Sequence, residues 1–277
     1  MWSHVAAPSE GLAANTKQRV PDKSGPTPRI FSEMSGAPRQ LSRAVKWGTL
    51  ARNPALGVSV PSEPRREMCV LTAEEAARFQ EESRRHERGL VFSFSLATAM
   101  RPGEVQALRW QDCDLNEGKI TVQQSLVVLK GGKWEIGEPK TRQSRRIIPL
   151  PRSIAVELRA HRVAQASYRL ETKAKYRDLD LVFASRTGAP INSQNLANRT
   201  LKPILKAAGL PKKFRWYDCR HTCATLLMAA GEHPKVVSER LGHATVAFTL
   251  DRYAHVLPGM QESASDRLEQ ILYGDRT

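Results

Sequence analysis

The sequence predicts a mainly helical α+β fold with a small antiparallel β-sheet set early in its folded part. Three observations predict it: a helix-start signal followed by apolar residues at helical spacing from Thr72 onward, an Ile-, Val- and Thr-rich stretch from Lys119 to Ile148, and Pro-delimited helical runs after Pro151.

Taken in chain order, residues 1–39 are rich in Pro, Gly, Ser and basic side chains and lack periodicity, so disorder is expected there. Leu41, Ala44, Val45, Leu50 and Ala51 recur at near-helical spacing and predict one short helix ending before Asn53-Pro54. Pro61, Pro64, Arg65, Arg66 and Glu67 read as a linker, placing a domain boundary near residue 67. Thr72 with Glu75 three positions on makes a capping box, and the helix it starts is expected to run to about Arg85 with Ala76, Ala77 and Phe79 on its buried side. Leu90 to Met100 is largely apolar and predicts a buried helix; Pro102 suits the first turn of the next, through Leu108, because its missing N–H would have no partner there. Lys119 to Leu129 and Trp134 to Ile148, interrupted by Gly131-Gly132, are expected to pair as one antiparallel sheet. Helices follow at Pro151 to Tyr168, Ser193 to Ala208, Tyr217 to Ala230 and Pro234 to Leu241.

The chain carries 43 Lys and Arg against 28 Asp and Glu among 277 residues, a formal net charge of +15. That excess attracts polyanions over many ångströms and makes nucleic acid the first partner to expect. Cys69, Cys113, Cys219 and Cys223 are too few and too unevenly placed for a disulfide-stapled secreted domain, so a reducing cytoplasm is expected. No apolar run approaches the roughly 18 residues of a membrane span, and the first residues lack the pattern of a signal peptide.

On a helix at about 100° per residue, Tyr217, Arg220, His221 and Ala224 project to one side and Cys219, Cys223 and Leu226 to the other. One face is then expected to meet a ligand while the other packs into the core, with the cysteines as small hydrophobes. A metal reading of Cys219, His221 and Cys223 has neither the spacing nor the convergence of a zinc site.

Four segments, AMRPGEVQALRWQDCD, EPKTRQSRRIIPL, YDCRHTCATLL and ERLGHATVAFTLDRYAHV, stand in this order between about residues 67 and 270. Together they resemble the successive motif boxes of the tyrosine recombinase (phage integrase) family. The order and spacing of four matches are far more specific than any one box. The resemblance implies that family's catalytic-domain fold over residues 67–272. It implies cleavage and rejoining of double-stranded DNA through a 3′-phosphotyrosyl intermediate, with no cofactor and no metal, by a homo-tetramer assembled on DNA and weakly associated or monomeric without it.

The resemblance also assigns roles. Tyr253, ten residues after His243, would be the nucleophile; Arg101 and Arg220 would clamp the non-bridging phosphate oxygens with planar guanidinium forks. Glu104 would pair with Arg101 and orient it. Lys140, in Glu-Pro-Lys-Thr, would be the acid for the leaving 5′ oxygen, with Lys130 and Lys133 as rival assignments. His243 would bond a phosphate oxygen near the nucleophile, and His221 and His255 would support the site. One position departs from the pattern: Tyr217 stands where the family has His, which puts base assistance to the nucleophile in doubt. Only Leu41 to Pro54 resembles the last helix of the family's core-binding domain, so residues 40–66 are expected to be its remnant in a truncated or frame-disrupted gene. A catalytically impaired DNA-binding remnant and a type IB topoisomerase stand as the alternatives. The segment around Ile271 and Leu272 is expected to dock on a neighbouring copy or to pack on its own domain.

Overall fold

The computed structural model describes residues 40–55, 68–138, 144–172, 176–253 and 260–274. The chain forms two units, Met1–Arg66 and Glu67–Thr277. In the first, residues 40–46 are helical (α1). The helix stops short of the expected end because Gly48 takes a left-handed φ of +73°. Its N–H and that of Thr49 turn back to the carbonyls of Val45 and Ala44 at 3.0 and 2.9 Å. Residues 1–39 and the linker around Pro61 and Pro64 lie outside the described residues.

The second unit opens on α2, Ala73–Arg84, with the expected capping box: Glu75 N donates to Thr72 Oγ1 at 3.2 Å and Thr72 N to Glu75 Oε2 at 3.0 Å. The buried positions are Ala76, Phe79 and Ser83; Ala77, expected inside, is exposed because it lies off the stripe that Ala76 and Phe79 define. Phe79 meets Phe92 and Phe214 edge to face at 6.4 and 5.5 Å between centroids. Phe92 lies on α3, Leu90–Thr98, which is buried nearly all round and ends on Ala99 in the left-handed region at φ 56°. At the α2–α3 turn, a Cβ on Gly89 would sit 1.8 Å from the backbone oxygen of Ser83. Gly89→Ala is therefore expected to destabilise the fold by on the order of 3 kcal/mol, measured as a shift in the urea midpoint; a midpoint unchanged from the parent would contradict this close approach.

Helix α4, Pro102–Ala107, follows, and then, among the described residues, five strands: β1 Cys113–Asp114, β2 Lys119–Val122, β3 Ser125–Val128, β4 Trp134–Gly137 and β5 Arg146–Pro149. They form two sheets rather than the single one expected, β1-β2-β5 and the hairpin β3-β4. The break falls at Gln123 and Gln124, where the chain leaves β2, paired with β5 through Ile120↔Ile148, and enters β3, paired with β4 through Leu126↔Ile136. The hairpin lies against α4, where a Cβ on Gly103 would meet Leu126 O at 2.6 Å, so glycine is what permits this approach.

Helices follow: α5 Arg152–Thr172, α6 Ser193–Leu196, α7 Lys202–Ala207, α8 Asp218–Ala229, α9 Pro234–Leu241, α10 Val246–Tyr253 and α11 Met260–Tyr273. The expected continuous helix from Ser193 is widened by a π turn at Ala197–Leu201, because Pro203 has no N–H to return to the preceding turn. Its core joins Phe92, Phe94, Val182, Leu205, Phe214 and Trp216, and a smaller cluster of Ala99, Cys223, Ala224, Met228, Val237, Leu241 and Tyr253 lies where α8, α9 and α10 meet. Among the described residues no helix is long and apolar enough to cross a membrane.

Candidate active site

The site is built on the C-terminal end of α9. Pro234 at its first turn and Gly242 at φ +64° after Leu241 fix its two ends, so its last carbonyls have no partner within the helix. Each of three successive carbonyls accepts from a different arginine: Arg240 O from Arg146 Nε at 2.7 Å, Leu241 O from Arg220 Nη2 at 2.6 Å and Gly242 O from Arg101 Nη2 at 3.3 Å. A helix C-terminus carries partial negative charge, so gathering cations there is favourable and holds each guanidinium at a defined edge.

Arg220 is the most enclosed of the three, 1 % exposed, and its Nη1 donates to Ala99 O at 2.8 Å, the carbonyl that ends α3. Two helix ends thus satisfy a buried cation that pairs with no carboxylate among the described residues. Burial first, then the neighbouring Arg101, lowers its pKa to about 10, which leaves it charged at neutral pH. Both bonds use only part of a five-donor fork, so further N–H groups remain for an anion.

Arg101 caps α4, and Glu104 on the first turn of that helix is 2 % exposed. As expected, the two pair, with Arg101 Nη1 on Glu104 Oε1 at 2.7 Å and the Arg101 backbone N–H on Oε2 at 2.9 Å. The sequence reading missed a second partner, Arg146, whose Nη2 and Nη1 reach the same carboxylate at 2.9 and 3.3 Å. Burial alone would push the Glu104 carboxyl up, but the hydrogen bond and charge of Arg146, with Arg101 adding to them, bring it below the usual carboxylate range. A signal for Arg146 does exist in the sequence: on a strand it shares a face with Ile148, so the period of two aims it inward.

His243 follows Gly242 directly. Its Nδ1 is 2.8 Å from Thr249 Oγ1 and its ring stands edge-on to Phe248 at 4.8 Å. With Arg101, Glu104 and Ser144 it lines a cleft of about 580 Å³. A larger cleft of about 700 Å³, lined by Arg109, Gln124, Arg145 and Arg146, takes in neither Arg101 nor His243, so the smaller one is the candidate site. Burial, then Arg220, Arg101 and Arg146, lowers the His243 pKa to about 3.

Tyr253, the last residue of α10, is 1 % exposed and packs in the small cluster with Cys223, Ala224 and Leu241. Its hydroxyl is 2.8 Å from Nδ1 of His221, which was expected only to support the site from a distance. Burial raises the phenol to about 12 although Arg220 pulls it down, so it is protonated in this resting arrangement. Burial is also the main reason that His221 falls to about 4, with Asp218 opposing and Arg252, Arg220 and Arg215 adding. Tyr217 lies at the rim, 41 % exposed, with its ring edge-on to His221 at 5.1 Å.

The two-faced reading of α8 needs correction: Arg220, His221 and Ala224 are as buried as Cys219 and Cys223. The helix passes through the junction of α3, α9 and α10 instead of lying at the surface, so its functional side chains act from inside. Among the described residues no group of His, Cys, Asp or Glu is placed to hold a metal ion. Lys140 and His255 lie outside the described residues.

These imidazoles predict acid sensitivity. Both pKa values lie below the 6.5 of an unperturbed histidine, so between about pH 6.5 and the folded values the unfolded chain binds more protons. Their contribution is complete above about pH 6.5 and is lost as pH falls through about 4 and then about 3. The melting temperature should fall steadily on acidification below about pH 6, and His243→Gln should flatten that slope; equal slopes would contradict the assignment.

The fold is that of solved DNA integrases and recombinases. The Tn1549 transposon integrase in complex with transposon right end DNA superposes with a TM-score of 0.68 at 20 % identity, over 86 % of this chain and 78 % of that one. The XerA recombinase gives 0.55 at 22 % identity, over 90 % and 85 %. The sequence profile of the phage integrase family matches residues 70–260, and the chain belongs to that family. A tyrosine recombinase XerC-like protein of Caldanaerobacter subterraneus is 32 % identical over 245 residues, covering 82 % of this chain and 62 % of the relative. The ICEBs1 integrase of Bacillus subtilis is 28 % identical over 181 residues, covering 65 % and 48 %. The chain thus spans about half to three-fifths of the length of these relatives.

Proposed function

We propose that this chain is the strand-transferring part of a site-specific DNA recombinase, working in the cytoplasm. It cleaves duplex DNA by attack of Tyr253 on a backbone phosphate, holds the 3′ end as a phosphotyrosyl ester, and rejoins it to a new 5′ hydroxyl. The observation that carries this reading is the convergence of Arg101, Arg146 and Arg220 on the last carbonyls of α9, beside His243 and one helix from the Tyr253 ring.

In this reading Arg101 and Arg220 bind the non-bridging oxygens with the N–H groups left free by Glu104 and the helix ends, and stabilise the charge that builds in the transition state. His243, neutral at physiological pH, adds a hydrogen bond. Lys140 protonates the leaving 5′ oxygen. The net charge of +15 supports a long-range attraction to the duplex. Leu268, Ile271 and Leu272 on α11 are exposed, which supports docking on a neighbouring copy in a DNA-bound tetramer.

The test is a fluorescent pool of nicked duplexes with randomised cores, whose short cleaved product diffuses away and traps the ester. The parent protein should retain label through SDS and Tyr253→Phe should retain none. Absence of adduct with the parent, or its persistence in the variant, defeats the reading.

A further inference from the structure

We propose that His221 is the base that receives the phenolic proton of Tyr253 during strand cleavage, a catalytic role that rests on the strand-transfer reading above. The contact is direct: Nδ1 of His221 and the Tyr253 hydroxyl are 2.8 Å apart, with both side chains buried. A nucleophilic hydroxyl with a buried imidazole nitrogen on it has the nucleophile-to-base geometry that acyl- and phosphoryl-transfer sites require.

The position occupied by Tyr217 strengthens the assignment. In the family pattern a histidine there is available to take a proton, whereas a phenol at neutral pH is chiefly a donor. Tyr217 stands at the rim with its ring against the edge of His221. His221 therefore lies between the two tyrosines, with ring centroids 5.1 Å from Tyr217 and 6.0 Å from Tyr253. It follows Arg220 in α8, so one helix turn presents a phosphate-binding guanidinium and a proton acceptor together. The charged groups acting on the imidazole are Asp218 and Arg220 of α8, Arg215 just before it and Arg252 of α10. Their net effect with burial keeps the ring neutral, so a lone pair is available on Nδ1 when the ring proton is on Nε2. A phosphate docking on Arg101 and Arg220 offsets the arginine field and makes the imidazole a stronger base at the moment it is needed.

The step balances. The Tyr253 oxygen forms its bond to phosphorus as the bond from phosphorus to the 5′ oxygen breaks. The phenolic proton passes to His221 Nδ1, and the leaving oxygen takes a proton from a separate acid, Lys140. In rejoining, the 5′ hydroxyl attacks and returns its proton to Lys140 as the departing phenolate recovers its own from His221.

Two substitutions test this on the nicked duplex pool. His221→Asn places an amide oxygen near the position of Nδ1 and keeps a hydrogen-bond acceptor but cannot hold a proton; His221→Phe keeps the ring shape with neither. Both should slow single-turnover adduct formation by about 100-fold, with DNA retention unchanged within about 2-fold. Thermal unfolding of the Asn variant checks that the fold is kept. On duplexes with sulfur in place of the bridging 5′ oxygen, whose leaving group needs no acid, both variants should stay slow while Lys140→Ala recovers. His221→Asn at the parent rate would reduce His221 to a positioning role. Faster cleavage would make it a restraint, and recovery on the sulfur substrate would make it the leaving-group acid; each overturns the proposal. Failure of the parent to form any adduct defeats the strand-transfer reading itself, and is seen before the variants are compared.

Discussion

Arg220→Gln is expected to lower adduct formation by at least about 100-fold and to weaken the fold at the same time. In the proposed strand transfer, the loss in rate follows from removing a preorganised, water-excluded cation from the place where phosphate charge would build. The loss in stability follows from the carbonyls of Ala99 and Leu241, which accept from Arg220 at 2.8 and 2.6 Å and close α3 and α9. A glutamine amide reaches at most one of them, and each buried carbonyl left without a partner costs about 1–3 kcal/mol. Arg220→Lys separates the two effects: charge remains, but a point ammonium cannot span two helix ends and also fork onto phosphate. It should recover part of the stability and little of the rate. Urea unfolding and single-turnover kinetics on the same preparations read both quantities, and a Lys variant with the parent rate would show that Arg220 contributes charge alone.

What the sequence made legible was whatever local chemistry dictates. The Thr72–Glu75 box, Pro102 and Pro234 at first turns, and the Ile, Val and Thr content of the strands that pair Ile120 with Ile148 each require only a few neighbouring residues, and each is found where expected. The paired Arg101 and Glu104 also lie within one turn. What was not legible depends on partners distant in sequence. Arg146 reads as one more basic residue in RQSRR until β5 brings it against α4 and the end of α9. His221 lies 32 positions from Tyr253, and nothing within the box around it announces that contact. The helical wheel of α8 separated its two faces correctly in angle but could not reveal that other helices cover both. Gly48 and the π turn before Pro203 were readable in principle, since glycine favours the left-handed region and proline lacks a donor; the apolar spacing masked them.

Glu104 holds the largest share of the site's architecture, and Glu104→Ala is expected to destabilise the protein by about 3–5 kcal/mol while reducing adduct formation severely. The carboxylate accepts from two arginine side chains and one backbone N–H, and at 2 % exposure no water can take its place readily. Removing it leaves Arg101 and the nearly buried Arg146 facing each other without an anion between them. Arg101 then loses the contact that aims its fork, so the rate should fall even in the fraction that remains folded. Glu104→Gln keeps the volume and one acceptor oxygen but turns an amide donor toward guanidinium donors, so it should lie between the parent and the alanine variant. The mechanism is separable by a double substitution. If Arg146 matters chiefly because Glu104 must be neutralised, Glu104→Ala with Arg146→Met should be less damaging to stability than the sum of the two single changes, by about 1–3 kcal/mol. Strict additivity in chemical unfolding would mean that Arg146 acts mainly through the carbonyl of Arg240, tying β5 to α9 without reference to the carboxylate.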